Sequence, residues 1–357
     1  MTVIASYNHF GCGIVIGDIL INGPVDEERP PKTSLPTIGN VENFFGGAWG
    51  IHKSSQKVCI ISDHCTIAWA GSKLYAHLFI DRIRNLARRI TITKDIIERL
   101  LNKYGSNEIS IVGAIYENGS MHTFGFDSEY LKCPILGDIY NAGSGASVIR
   151  EFTDIVQSMK LDVPNEDEIS ARGVSLALTQ VAHLLNAEFR KGDKAESILE
   201  FFGGGYEIAA FYDGKFQKIN SNFVFHDISM VNGYLKMGNP RLLIGQTYSA
   251  NHLCFQSISP RGMYDGEIMR NEVVEISPFA TSAINCTTHP SSSILNWSCF
   301  VFVDDFRFLG EQLISLVLKS ETPPIEYSVY DGKLEFSYSE KAGEQIEDFL
   351  IRIYENS

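Results

Sequence analysis

Residues 1–18 read Met-Thr-Val-Ile-Ala-Ser-Tyr-Asn-His-Phe-Gly-Cys-Gly-Ile-Val-Ile-Gly-Asp. The apolar runs on both sides of residues 8–11 predict two β-strands joined by a turn. If Met1 is removed, Thr2 becomes the N-terminal residue and carries a hydroxyl and a free α-amine. An unperturbed α-amine has a pKa of about 8, so it can act as a general base for the hydroxyl near neutral pH. Asp18 follows Thr2 by sixteen residues.

Two further segments contain residue types that hydrolases use. Lys57 opens residues 57–72, which read Lys-Val-Cys-Ile-Ile-Ser-Asp-His-Cys-Thr-Ile-Ala-Trp-Ala-Gly-Ser. This pattern predicts two short apolar strands around a tight turn, with Gly71 and Ser72 at the start of a helix. Further along, Gly143-Ser144-Gly145 precedes a second helical pattern.

Together these segments resemble the proteasome β-subunit superfamily, the N-terminal-nucleophile threonine peptidases. The likeness consists of Thr2, Asp18, the step of fourteen residues from Lys57 to Gly71, and the Gly-Ser-Gly turn at Ser144. It covers roughly residues 1–218. The resemblance implies a domain over residues 1–220 with an α+β fold, a four-layer αββα sandwich.

The resemblance also implies a role for each matching residue. Thr2 is the nucleophile and its amine is the base. Lys57 lowers the pKa of the hydroxyl as a neighbouring cation, and Asp18 holds Lys57 in place. The backbone N–H of Gly71 stabilises the oxyanion, and Ser144 hydrogen-bonds near the amine.

The resemblance further assigns substrate contacts and one acidic residue. Gly71 and Trp69 contact the substrate, and Trp69 makes the first specificity pocket small. In residues 200–205, Glu-Phe-Phe-Gly-Gly-Gly, Glu200 takes the acidic position of the family, with Asp193 as the rival if the loop is longer. Gly203 stands where the family has a serine, so the support of the amine is incomplete.

Two other interpretations of the motifs are weaker. Gly11-Cys12-Gly13 followed by Gly17 suggests a dinucleotide fingerprint, but such a motif needs a helix to begin within its glycines. The next residues are strand formers instead. The pair His64-Cys65 lacks partner ligands at the spacing of a metal site. We therefore expect neither a cofactor nor a metal ion.

Composition excludes several classes of protein. The net charge of −13 argues against nucleic-acid binding, which needs basic patches. No run of about eighteen apolar residues is present, so we expect no membrane span, and the N-terminus does not predict a signal peptide. The seven cysteines are scattered and predict buried thiols in a reducing compartment, so we expect a cytoplasmic protein.

Helices and hairpins can be placed along the chain by periodicity. Residues 72–90 carry one apolar stripe, Thr93 and Gly105 bound a short helix, and Asn118-Gly119 predicts a hairpin. Asn165 is expected to cap another helix. Residues 23–51 are rich in proline and glycine, which predicts a surface loop.

The likeness ends near residue 220. Residues 221–357 are expected to form a C-terminal α+β domain or extension of unreadable role. Residues 221–303 are strand-rich, helices are predicted at 305–318 and 340–354, and a hairpin is predicted at Tyr330-Asp331-Gly332.

Three functions fit the sequence. The first is a threonine peptidase that hydrolyses peptides or unfolded proteins, assembled as a homo-oligomeric ring and served by a separate ATP-dependent unfoldase. The second is an amidohydrolase of the same nucleophile class that acts on a small amide. The third is a catalytically silent assembly subunit.

Overall fold

The chain is described by a computed structural model that falls into two compact units. Unit 1 comprises Met1–Ile219 and Ile276–Asn285, and unit 2 comprises Asn220–Glu275 and Cys286–Ser357. A segment from far along the chain therefore belongs to the first unit. The structure describes residues 2–24, 49–159, 161–191, 195–232, 234–249, 251–260, 268–280, 297–303, 314–331 and 333–356.

Unit 1 contains strands and helices in alternating groups. Its strands are β1 (Ile4–His9), β2 (Cys12–Asp18), β3 (Leu20–Pro24), β4 (Trp49–Ser54), β5 (Val58–Ser62), β6 (Cys65–Gly71), β7 (Ile109–Glu117), β8 (Ser120–Phe126), β9 (Glu129–Cys133), β10 (Gly137–Ala142), β11 (Tyr206–Tyr212) and β12 (Lys215–Lys218). Its helices are α1 (Lys73–Ala87), α2 (Lys94–Tyr104), α3 (Ala146–Ser158), α4 (Ile169–Lys191) and α5 (Glu196–Leu199).

Two sheets of unit 1 share a buried core. One is six-stranded, in the order β12-β11-β2-β1-β10-β9, and the other is four-stranded, in the order β5-β6-β7-β8. Ile4 and Val15 of the first sheet cluster with Val58, Ala68 and Val112 of the second. Side chains alternate along a strand, so the opposite face of the four-stranded sheet packs against α1 and α2.

The predicted hairpins of unit 1 are confirmed. The β1–β2 hairpin turns at Phe10 and Gly11, which have φ of 49° and 107°. Asn118 and Gly119 turn between β7 and β8 with φ of 52° and 79°. Positive φ at both central residues gives the turn the twist of the strands that it joins.

The helix caps were predicted with mixed success. The prediction for α2 is confirmed, because the Thr93 hydroxyl accepts a hydrogen bond from the Ile96 N–H at 3.3 Å. The prediction that Asn165 caps a helix is wrong, because α4 begins at Ile169. Asn165 bounds a preceding turn instead, in which its carbonyl accepts from the Glu168 N–H at 3.0 Å.

Residues 23–51 contain paired backbone at both ends. Strands β3 and β4 pair antiparallel, with Leu20 opposite Ser54 and Pro24 opposite Trp49. The prediction of a loop is therefore wrong for residues 23–24 and 49–51, which belong to this two-stranded sheet. Residues 25–48 between them lie outside the described part of the chain.

Unit 2 consists mainly of strands. They are β13 (Ser221–Val231), β14 (Tyr234–Ser249), β15 (His252–Pro260), β16 (Ile268–Ile276, whose last residue belongs to unit 1), β17 (Trp297–Val303), β18 (Ile314–Lys319), β19 (Ile325–Tyr330) and β20 (Lys333–Tyr338). Six strands form a sheet in the order β16-β15-β14-β13-β17-β18, and β19 pairs with β20. Helix α6 (Glu340–Asn356) packs on this core through Ile346 and Leu350.

The prediction of an α+β four-layer αββα sandwich with an α+β extension is wrong. The chain is mainly β, with 48% of residues in strands and 29% in helices. Beyond the two sheets of the unit 1 core, the described residues form the β3–β4 sheet and the two sheets of unit 2. Among the described residues strands outnumber helices in both units, and this excess makes the chain mainly β.

The helix predicted at 305–318 is wrong over its last five residues. Residues 304–313 lie outside the described chain, but Ile314–Lys319 is a strand that pairs with β17. A short apolar run fits a helix or a strand equally well by periodicity. Here β17 offers a backbone edge, and pairing with that edge makes the segment a strand. The helix predicted at 340–354 is confirmed as α6.

In the part of the chain that the structure describes, helices are too short or too polar to cross a membrane.

Candidate active site

Thr2 lies just before β1 and is held by the turn after β10. Its carbonyl accepts a hydrogen bond from the Gly145 N–H at 3.1 Å, and its backbone nitrogen lies 3.3 Å from the Ser144 hydroxyl oxygen. Gly143 permits this approach, because a Cβ at this position would stand 2.0 Å from the Thr2 carbonyl oxygen and its φ is +97°. Glycine is therefore required there, and it fixes the backbone of Thr2.

Lys57 connects Thr2 to Asp18 through its ammonium group. The Lys57 Nζ lies 2.5 Å from the Thr2 Oγ1 and 2.7 Å from the Asp18 Oδ1. The side chains of Lys57 and Asp18 are fully buried, and Thr2 is 3% exposed. A hydroxyl, an ammonium and a carboxylate from three separate segments of the sequence thus meet in one buried cluster.

Asp18 is supported on both carboxylate oxygens. Its Oδ1 accepts from the Val3 N–H at 3.0 Å, and its Oδ2 accepts from the N–H groups of Leu20 and Gly203, each at 3.1 Å. Hydrogen bonds from backbone donors stabilise a buried carboxylate. These donors fix the orientation of the Asp18 carboxylate, whose Oδ1 faces the Lys57 ammonium at 2.7 Å.

The backbone of Lys57 is fixed by Glu207 on β11. The Glu207 Oε2 accepts from the Lys57 N–H at 2.5 Å and from the Val58 N–H at 3.0 Å. Lys218 forms an ion pair with the other oxygen of the same carboxylate. Two buried carboxylates therefore hold Lys57, one through its side chain and one through its backbone.

Burial lowers the pKa of the Lys57 ammonium, and the attraction of Asp18 opposes that shift. The ammonium is consequently a better proton donor than a lysine in water, while Asp18 keeps a positive charge favourable at this point. A cation 2.5 Å from the Thr2 Oγ1 stabilises the hydroxyl oxygen as it becomes negative.

Ser144 joins the N-terminal end of Thr2 to the segment before β11. Its hydroxyl donates to the Glu200 carbonyl oxygen at 2.6 Å while facing the Thr2 nitrogen. Glu200 therefore enters the site through its main chain. Among the described residues, the Glu200 carboxylate makes no contact that supports the role predicted for it. The rival acid, Asp193, lies outside the described residues.

Gly203 differs from the family pattern for a steric reason. Its φ is +105°, and a Cβ there would stand 2.2 Å from the Glu188 Oε1. A serine does not fit at this position, and the Gly203 N–H instead binds Asp18. The glycine that departs from the family pattern thus supplies one of the donors that support the Asp18 carboxylate.

The two residues predicted to contact substrate lie on β6. Gly71 ends this strand with a φ of +89°, and a Cβ would stand 2.1 Å from the Glu108 carbonyl oxygen. Gly71 is exposed but is not part of the hydrogen-bond network that joins Thr2, Lys57 and Asp18. Trp69 is fully buried, and its backbone N–H donates to the Lys57 carbonyl oxygen at 3.3 Å.

No family model matches this chain, and a search of the curated proteins finds no match. The assignment of roles therefore depends on the geometry described above.

Sequence reasoning missed Glu188, which lies behind the site. Glu188 is a fully buried acid on the apolar face of α4. Its carboxylate accepts from the Tyr206 hydroxyl at 2.5 Å and from the Gly204 N–H at 3.1 Å. An acid among the buried residues of a helix is the signal that could have identified it.

Glu188 is expected to make stability depend on pH. Burial raises its pKa to about 7, against about 4.3 for an exposed glutamate. Between these values the folded chain keeps a proton that the unfolded chain releases, so the free energy of unfolding falls as pH rises. The expected loss between pH 4 and pH 8 is about 3 kcal/mol.

Glu188→Gln removes this dependence, because the amide is neutral at every pH. Denaturant unfolding at pH 5 and pH 8 measures the effect: the variant should gain stability relative to the unmodified chain at pH 8 but not at pH 5. Glu166→Gln, at an exposed acid, is the matched control and should leave the pH profile unchanged. Parallel profiles for Glu188→Gln and the unmodified chain would contradict the assignment.

Proposed function

We propose that this chain is an N-terminal-nucleophile hydrolase that cleaves peptide bonds through Thr2, after removal of Met1 has freed the α-amine. The observation that carries the proposal is the position of the Lys57 Nζ, 2.5 Å from the Thr2 Oγ1 and 2.7 Å from the Asp18 Oδ1. Burying an ion pair costs solvation energy, and apolar residues of similar size would fill the same space without that cost. A lysine held against a threonine hydroxyl is understandable if that hydroxyl becomes negative during a reaction.

The first half of the reaction forms an ester. The α-amine of Thr2 accepts the hydroxyl proton, and the Oγ1 attacks the carbonyl carbon of the scissile bond. Negative charge moves to the carbonyl oxygen, where the N–H of Gly71 is the proposed donor. The protonated amine then gives its proton to the departing nitrogen, the C–N bond breaks, and an ester to Thr2 remains.

The second half restores the enzyme. A water molecule gives a proton to the amine and attacks the ester carbonyl. The Thr2 Oγ1 leaves and recovers the proton, and the acid product dissociates. In both halves Lys57 stabilises the negative Oγ1, and the Ser144 hydroxyl, 3.3 Å from the Thr2 nitrogen, orients the amine.

An amidohydrolase acting on a small amide is the second candidate. The contacts of the Lys57 ammonium with Thr2 and Asp18 fit it equally well, because they activate the hydroxyl whatever the length of the substrate. A panel of fluorogenic peptides compared with small amides separates the two functions.

We propose a cytoplasmic protein that assembles as a homo-oligomeric ring and receives unfolded protein from a separate ATP-dependent unfoldase.

The decisive experiment combines intact mass, N-terminal sequencing and covalent labelling. A peptide epoxyketone reacts with a hydroxyl and an α-amine on the same residue, so we expect one adduct on a chain that begins at Thr2. A matched chain with one extra residue before Thr2 has no free amine there and should give none.

Two results would contradict the proposal. If purified protein keeps Met1, the amine needed by the mechanism is absent. If the chain begins at Thr2 but forms no adduct while folded, it is a catalytically silent assembly or interaction subunit.

A further inference from the structure

Residues 276–280 are a distant segment that belongs to unit 1. The Gln56 side-chain amide donates to the Ile276 carbonyl oxygen at 2.9 Å, and the Arg84 guanidinium donates to the Phe279 carbonyl oxygen at 2.5 Å. Gln56 directly precedes Lys57. The segment is therefore anchored at both ends, and one anchor adjoins the lysine that contacts Thr2.

Phe279 covers the indole of Trp69. The two rings stack with centroids 4.5 Å apart and an interplanar angle of 27°, and Phe279 is 4% exposed. Lys73 lies over the Phe279 ring at 5.9 Å, and His77 contacts it edge-on at 5.9 Å. Both belong to the first turns of α1, which follows Gly71.

Trp69 is a cross-strand neighbour of Lys57. Val58 pairs with Ala68 in the β5–β6 register, and the hydrogen bond from the Trp69 N–H to the Lys57 carbonyl extends that ladder by one residue. Directly opposed residues place their side chains on the same face, about 5 Å apart. The chain of contacts from Phe279 to the Thr2 hydroxyl thus passes through only Trp69 and Lys57.

Phe279 belongs to the buried cluster between the four-stranded sheet and α1, but polar groups also border its ring. A cation and an imidazole bound the ring on the side of α1, and the Trp69 Nε1 is buried without a hydrogen-bond partner among the described residues. Interior polar atoms are normally paired. Within the described residues, the Trp69 ring therefore offers apolar surface next to an unpaired donor and a cation, a combination that ligand sites use. We call the space over the Trp69 ring, which Phe279 fills, the Trp69 slot.

We propose that Phe279 occupies a subsite beside Thr2 that would otherwise receive a bulky side chain of the substrate, and so restricts the acyl side of the scissile bond to small residues. This inference rests on the proposed function and adds the substrate class. The chain supplies its own aromatic group where a large substrate residue would bind.

The test compares labelling rates for two epoxyketones, one with alanine and one with phenylalanine next to the reactive group. The unmodified chain, beginning at Thr2, should react faster with the alanine reagent. In Phe279→Ala the slot is empty, so the ratio of the labelling rate with the phenylalanine reagent to the rate with the alanine reagent should rise by about tenfold or more. Phe279→Leu, a smaller change, should give a weaker shift in the same direction and serves if Phe279→Ala fails to fold.

Phe79→Ala is the matched control. Phe79 is a buried aromatic of the same cluster, on α1, so its loss also leaves a void but keeps Phe279 over Trp69. Thermal unfolding of each variant shows that it is folded before labelling. Only the Phe279 variants should change the ratio of the two rates.

The outcomes separate the two proposals. Adducts on the unmodified chain with no change of ratio in either Phe279 variant would overturn the subsite and leave the hydrolase standing. The same would follow if Phe79→Ala changed the ratio equally. Absence of adducts from every folded chain that begins at Thr2 would overturn both.

Discussion

Thr2→Ala is expected to abolish hydrolysis and labelling while the chain stays folded. The variant removes the oxygen that lies 2.5 Å from the Lys57 Nζ, so no ester can form. Loss of a nucleophile in a hydrolase lowers kcat by on the order of 10⁶-fold. The loss of one hydrogen-bond partner should lower the free energy of unfolding by only about 1–2 kcal/mol. Peptide hydrolysis and denaturant unfolding measure the two effects.

Thr2→Ser is the matched variant for this prediction. Serine keeps the hydroxyl and the α-amine and removes only a methyl group, so measurable activity and labelling should remain. Residual hydrolysis by Thr2→Ala at the rate of Thr2→Ser would show that another residue is the nucleophile. Loss of folding in Thr2→Ala, judged by its unfolding curve, would show that the cluster has a structural role.

Lys57→Met is expected to have a large effect on both stability and activity. The substitution keeps the length of the side chain but removes the charge that faces Asp18 at 2.7 Å. Removing one partner of a buried pair costs about 3–5 kcal/mol, because the other charge stays buried without its counterion. Removing a charge that stabilises a developing anion should lower kcat by about 10²–10³-fold.

The surface pair of Lys94 and Glu98 provides the control for Lys57→Met. Its nitrogen and oxygen lie 3.8 Å apart and both side chains are more than one third exposed, so Lys94→Met should change stability by less than about 0.5 kcal/mol. Activity should be unchanged. If Lys57→Met unfolds at the same denaturant concentration as Lys94→Met and hydrolyses substrate normally, Lys57 is not the cation of the site.

The core of the site was predictable because its residues belong to short, ordered motifs. The family resemblance singled out Thr2, Asp18, Lys57 and Ser144. In the structure the Lys57 Nζ contacts the side chains of Thr2 and Asp18, and the Ser144 hydroxyl lies near the Thr2 backbone nitrogen. These residues lie at strand ends and tight turns, where local sequence specifies the backbone. The positive φ at Gly143 and Gly71 is the physical reason for glycine at those positions.

The rest of the site depends on contacts that local sequence does not specify. Glu207 reaches the Lys57 N–H from a strand 150 residues further along the chain. Phe279 reaches Trp69 from a segment whose own neighbours belong to the other unit. No short-range pattern encodes such pairings, since they result from how the elements pack.

The fold was predictable only where a turn or a cap had a specific chemistry. The hairpin at residues 118–119 and the cap at Thr93 were predicted from their side chains. The segment Ile314–Lys319 was not, because its apolar residues suit a helix and a strand alike, and pairing with β17 decided between them.

The late position of residues 276–280 has a consequence for biosynthesis. Residue 219 leaves the ribosome roughly 60 residues before Phe279, a delay on the order of 3–12 s at about 5–20 residues per second. During that interval Phe279 cannot yet cover the Trp69 ring. A chaperone that recognises apolar clefts, or a ligand added during translation in vitro, would meet the protein in a form that the finished molecule no longer presents.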